Sequence, residues 1–216
     1  MNTFLKLVLT AVPVAATSSW VTAEWFVPGQ EPVQEPAHEM DAMAIMDATM
    51  KLAVPGKEHV HLAEGVGNWN SVMRMRMDPN GPWTEGKGKS KVQKALGGRY
   101  LVEKVEYEFM GMKTEGLLVM GYDNLTKKFQ SVWMDSMSTG MTYSEGVMDK
   151  DGVIEMFGTM RDVVSPKGRP FSHRTIPIDD DHFKLEMFDT IPAKPGAAMP
   201  KKPNVKVMEL EYSRVK

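Results

Sequence analysis

Ser136 and Ser138 follow Asp135 in the segment WMDSMSTG, which sets hydroxyls beside a carboxylate. Acyl-transfer chemistry needs more than that. The serine must be presented on a sharp turn, and a histidine must be placed to take its proton. No Gly-x-Ser-x-Gly turn occurs, and none of His38, His59, His61, His173 or His182 stands in a fixed relation to these serines. Paired carboxylates are the next chemistry to consider. Glu103, Glu106 and Glu108 share one alternating run in which Leu101, Val105, Tyr107 and Phe109 mark the inward side. Glu106 and Glu108 then face solvent, with Glu103 on the other face, so no acid pair is expected inside. No catalytic residue is assigned, and an enzyme at the barrel mouth stays an open alternative. A polar, pKa-perturbed cluster inside would be its mark.

Metal chemistry is no better supplied. His59 and His61 are two residues apart and read as a capping or surface pair. Asp179, Asp180, Asp181 and His182 have the ligand types of a hard-metal site, but the spacing and glycine of a calcium loop are missing. A solvated turn is the expectation there. Cysteine is absent, so thiolate sites and disulfides are excluded. Methionine, by contrast, occurs 20 times. Met73, Met75 and Met77 share a strand face, Met110 and Met112 flank a turn, and Met134, Met137 and Met141 crowd one segment. Thioethers suit Cu(I), but methionine also fills irregular apolar space and lines adaptable cavities. Packing or an apolar cavity is the reading taken, with copper binding as an alternative. No cofactor and no metal are predicted.

These side chains must be carried by something, and from Trp69 onward the sequence period is two. Strands are expected over 68–78, 84–95, 99–110, 113–122, 127–135, 140–148, 153–161, 171–178, 182–190 and 205–215. Turn signals separate them, among them Gly97-Gly98, Gly111, Asp123-Asn124 and Pro166-Lys-Gly168. No long helical pattern interrupts the run. The fold class expected is all-β: a single antiparallel barrel of eight to ten strands, whose closure removes exposed edges. Before it, Met40, Met43, Met46 and Met50 recur at helical spacing, which predicts a helix over about 39–52 that packs on the barrel mouth or wall. A second helical turn leads into Trp69.

The N-terminus reads as an export signal. Lys6 precedes a short apolar run, and Val21-Thr22-Ala23 offers small residues for cleavage after Ala23. Residues 1–23 are taken as signal peptide, 24–38 as a Pro-rich linker, 39–58 as a helical extension and 59–216 as the barrel domain. A periplasmic or secreted location follows as an expectation. Without the signal, 25 basic residues minus 28 acidic ones give a net charge of about -3. That argues against nucleic acid, which is held by cationic surfaces. No run in the mature chain is long and apolar enough to span a bilayer. Oligomeric state is not legible.

Gly67-Asn68-Trp69 opens the first strand, and Tyr212-Ser213-Arg214 ends the last. In a closed meander these strands are neighbours, so Arg214 can lie over Trp69 and shut one end by cation–π contact and stem packing. This pairing resembles the calycin (lipocalin-like) signature. The ordered set HLAEGVGNW, LGGRYL, GYDN, WMDSMSTG, DDDH and ELEYSR resembles the DUF1579 family, proteins of uncharacterised function, over about residues 59–216. The resemblance implies a calycin-like barrel and carries no activity with it. The related nitrobindin-type barrels hold haem through a histidine near the end of the last strand. Here NVKVMELEYSR has none, and Met208 would be the only soft ligand, so haem is a remote alternative. The function expected is non-enzymatic binding of a small apolar ligand inside the barrel. Trp69, Met73, Met75, Tyr107, Phe129, Trp133 and Asp135 are the candidate lining. Asp135 is expected to pair with Arg99, Arg161 or Arg174. A filled barrel acting through its surface is the remaining alternative.

Overall fold

A computed structural model describes residues 41–76, 78, 80–163, 165–192 and 200–216. The expected signal segment and linker, His38, Met40 and Met77 lie outside the described residues.

Two helices lead into the sheet: α1 (Ala42–Leu52) and α2 (Lys57–Glu64). Ten strands follow: β1 (Gly67–Met75), β2 (Thr84–Ala95), β3 (Tyr100–Phe109), β4 (Met112–Asp123), β5 (Lys128–Asp135), β6 (Thr142–Met148), β7 (Ile154–Met160), β8 (Arg169–Asp179), β9 (His182–Asp189) and β10 (Val205–Arg214). Each pairs antiparallel with its sequence neighbour, and β1 pairs with β10, so the ten strands form a closed barrel. Every backbone ladder therefore finds a partner and no edge is left open.

The turns follow from local chemistry. At the β3–β4 hairpin Met110 and Gly111 both adopt positive φ, 52° and 75°, the geometry whose twist matches flanking strands. At β4–β5, β6–β7 and β8–β9, Asp123, Asp149 and Asp179 each accept a backbone N–H two residues on. In the β9–β10 connection, Asn204 bonds the backbone of Ile191 in both directions, at 2.9 and 3.0 Å.

One end of the barrel is plugged. Helix α2 buries His59 and Leu62, and Leu62 packs with Phe129, Ile154 and Met156. Tyr122 meets Phe129 edge-on at 4.9 Å and His59 at 5.9 Å. The expectation for α1 is corrected. It buries no residue, and Met43, Met46 and Met50 are exposed. The end it was expected to cover is already filled by α2. Its attachment is through polar groups, because Asn124 Nδ2 donates to the carbonyls of Leu52 and Val54 at 2.8 and 2.9 Å.

The inner wall is fitted around its aromatic rings. Trp133 lies against Gly116, where an added Cβ would overlap the indole. Trp133 cannot swing freely, because its Nε1–H donates to Asp135 Oδ2 at 3.0 Å. Gly116→Ala should therefore destabilise the protein by about 1–3 kcal/mol, as overpacking does. The check is a lower urea midpoint with an unchanged slope.

Candidate functional site

The ladder registers decide which side chains face inward. Met156 on β7 stands opposite Gly146 and His173, and the same set of positions runs round the ring through Ser144, Ser131, Leu118, Glu103, Ser90, Ser71 and Leu210. The closed end of this interior is built on Arg214. Its Cζ lies 4.2 Å from the centroid of the Trp69 ring. Nη1 donates to Val66 O at 2.8 Å and Nη2 to Glu64 O at 2.9 Å, which satisfies carbonyls at the end of α2. Nε and Nη2 also reach Asp180 O in the β8–β9 turn. Trp69 Nε1 donates to Gly65 O at 2.9 Å. Gly67 is the residue this arrangement requires. Its φ is +150°, and a Cβ there would sit 2.6 Å from Arg214 Nη1.

The candidate lining residues divide between the two ends. Trp69 is buried with Val92 and Tyr212, and Phe129 is buried beneath α2, so both belong to the packed floor. Met73 is buried on β1 opposite Leu210, and Met75 is partly exposed opposite Met208. Tyr107, Trp133 and Asp135 lie toward the other end. Tyr107 Oη makes a long contact of 3.9 Å to Met137 Sδ. The ion pair expected for Asp135 is not what holds it. Its partners are the Trp133 indole and the Met137 N–H at 3.0 Å, both within two residues and both neutral. The arginine paired at this end is instead Arg169, which Asp189 grips through both carboxylate oxygens at 2.7 Å. Asp162 Oδ2 takes its Nη1 at 2.5 Å. Both acids push the Arg169 pKa further up.

Between the ends the wall is not wholly apolar, and Met120, Leu185 and Leu210 pack against the two buried clusters. Leu118, Met120, Leu185, Met187 and Leu210 face inward, yet each remains partly exposed. Polar groups are interleaved. Ser131 Oγ and Ser144 Oγ are 2.8 Å apart, and Ser144 Oγ is 2.9 Å from His173 Nε2. His173 Nδ1 is buried with no hydrogen-bond partner among the described residues, and so are Ser90 Oγ and Glu103 Oε1. Burial pushes the His173 pKa down to about 4 and raises that of Glu103.

This chain of hydroxyls and imidazole is poorly suited to acid–base catalysis. A general base works best with a pKa near the working pH, and His173 is held far below it. No carboxylate orients its Nδ1. What the group can do is offer one directed hydrogen bond to whatever occupies the interior. With Nε2–H donating to Ser144, Nδ1 is an acceptor; in the other tautomer Nδ1–H is a donor.

Sequence reasoning gave no site role to Ser90, Ser131, Ser144, His173 or Glu103. Strand parity places Glu103 on the face opposite to Glu106 and Glu108, with Val105 and Tyr107, and it is set aside because no second acid joins it there. Nothing in the sequence brings His173 to Ser144, since that contact needs the register of three strands. The other described histidines serve local structure. Gly56 N–H donates to His59 Nδ1 at 3.0 Å, His61 Nδ1 sits 3.0 Å from Glu64, and His182 Nδ1 is 2.8 Å from Asp179. Among the described residues no three acidic or histidine side chains converge as a metal site would require. No described helix is long and apolar enough to cross a membrane.

The model of a family described as a protein of unknown function (DUF1579) matches residues 54–214. That span contains α2 and all ten strands, and the chain belongs to this family. No curated protein matches the chain.

Two outcomes follow. Arg214→Lys keeps the charge but cannot span four carbonyl contacts and a ring face, so it should cost roughly 2–4 kcal/mol of stability, read as a lower thermal midpoint. His173 is neutral in the fold, and its folded pKa lies below its unfolded value near 6.5. The unfolded chain therefore binds more protons between pH 6.5 and 4, so this contribution is intact above pH 6.5 and is lost as pH falls to 4. The loss should be of the order of 3 kcal/mol. Denaturant titrations across that window should show the slope, and His173→Gln should flatten it.

Proposed function

We propose that this member of the DUF1579 family is an exported, calycin-like carrier that binds one small ligand within its barrel without chemically altering it. The observation that carries the reading is an inward wall that is apolar but not fully buried, with polar atoms left unpaired in it. Leu118, Met120, Leu185, Met187 and Leu210 face inward and are still partly exposed, over a floor sealed by α2, Trp69 and Arg214. Burial of a ligand's apolar body against such a wall supplies about 25 cal/mol per Å². A few inward polar groups then set its orientation. Met73, Met75, Tyr107, Trp133 and Asp135 are proposed to contribute on the side away from the floor. The proposal of export rests on Lys6, the apolar run that follows it and the small residues up to Ala23.

The test is a titration with N-phenyl-1-naphthylamine, a neutral probe that fluoresces when it leaves water. Saturable one-to-one binding is expected in the micromolar range. Met120→Trp, which enlarges an inward side chain, should weaken it at least tenfold while leaving the far-ultraviolet circular dichroism unchanged. Binding that Met120→Trp does not alter would place the probe outside the barrel and sink the reading.

A further inference from the structure

Glu103 stands apart from every other charged residue on the inner wall. Those that share its face lie at strand ends: Lys94, Asp135, Arg169, Asp189 and Arg214. Of these, Asp135, Arg169, Asp189 and Arg214 are engaged by partners already described, and Lys94 is exposed. Glu103 lies mid-strand on β3, between Val92 on β2 and Leu118 on β4. Its Oε1 is closed to water and makes no hydrogen bond. The Ser90 hydroxyl stands beside it, yet Ser90 Oγ is also buried and closes no bond of normal geometry. The other ionisable group near it is Tyr212, a phenol that burial and Glu103 keep protonated. Among the described residues no lysine or arginine pairs with it.

A buried carboxyl without a partner costs free energy, and folded proteins pair such groups almost without exception. The missing partner has a defined chemistry. Glu103 Oε1 and Ser90 Oγ are adjacent acceptors, and an ammonium is a compact group with three donors and no acceptor. An anionic head would instead meet a like charge in a poorly solvated wall.

We infer that Glu103, with Ser90 beside it, anchors the protonated amine of an amphiphilic ligand whose apolar body lies along the barrel wall. This rests on the barrel-carrier reading above. Four strands lie between β3 and β8 in either direction round the ring. His173 Nδ1 therefore stands on the opposite wall and offers the second polar contact.

The test is competition against bound N-phenyl-1-naphthylamine by dodecylamine, dodecanol and dodecanoate, each below its micelle concentration at pH 7.5. Dodecylamine should displace the probe at about a tenfold lower concentration than dodecanol, with dodecanoate weakest, because a charge-assisted hydrogen bond is gained only by the amine. Glu103→Gln should bring amine and alcohol within about twofold. Unliganded Glu103→Gln should melt at or above the parent temperature, since it removes an unpaired buried acid. Ser90→Ala is the second variant, and it should weaken the amine alone. Dodecanoate binding as tightly as dodecylamine, an amine preference that survives Glu103→Gln and Ser90→Ala, or a large drop in melting temperature for Glu103→Gln would each overturn the assignment and leave the carrier reading standing. Absence of any probe binding would overturn both.

Discussion

The structure depends on one guanidinium. Arg214, the last residue of the last strand, lies over the Trp69 ring in the first strand and donates to Glu64 O, Val66 O and Asp180 O. Three separate parts of the chain meet there: the end of α2, the start of β1 and the turn between β8 and β9. A planar fork with five donors can serve them together, whereas a single ammonium cannot. The contact also joins strands 145 positions apart in sequence, Trp69 to Arg214, so it forms only when the meander has closed on itself. Gly67 completes the arrangement by leaving the space that Nη1 occupies. Barrel closure, docking of α2 and sealing of the floor are thus one event seen from three sides.

From that seal the interior follows. With the floor packed by Phe129, Met156, Trp69 and Tyr212, the polar side chains above it have no solvent on one side. Ser131, Ser144 and His173 satisfy one another in part. Glu103 and Ser90 do not. A barrel selected only for stability would carry apolar residues at these positions, because burying a polar group without a partner costs free energy. Their presence beside partly exposed Leu118 and Leu210 is the ground on which binding is proposed.

Much of the scaffold was legible from residue order. Alternation placed all ten strands within about three residues of their observed ends, because a half-buried strand imposes period two on its sequence. Gly111 and the aspartates at 123, 149 and 179 marked turns through their own backbone chemistry. Gly67-x-Trp69 with Arg214 pointed to the floor, since a meander must bring its ends together to close. The interior was less readable. Asp135 looked like half of an ion pair, but its partners are the neighbouring indole and a local N–H. Such neutral, short-range satisfaction leaves no signature in charge pattern. The methionines of α1 have helical spacing, yet spacing does not say whether a partner surface is free, and α2 had taken it. His173 and Ser144 are 29 positions apart and meet only through the register of β6, β7 and β8.

The central claim, proposed above, is that the barrel holds one small molecule. Native mass spectrometry of the protein isolated from the cells that make it, with the denatured chain as control, tests this most directly. The account predicts one additional mass per chain that disappears on denaturation, belonging to an amine-bearing amphiphile. The bare chain alone, both as isolated and after exposure to a lipid extract of the same cells, would contradict it.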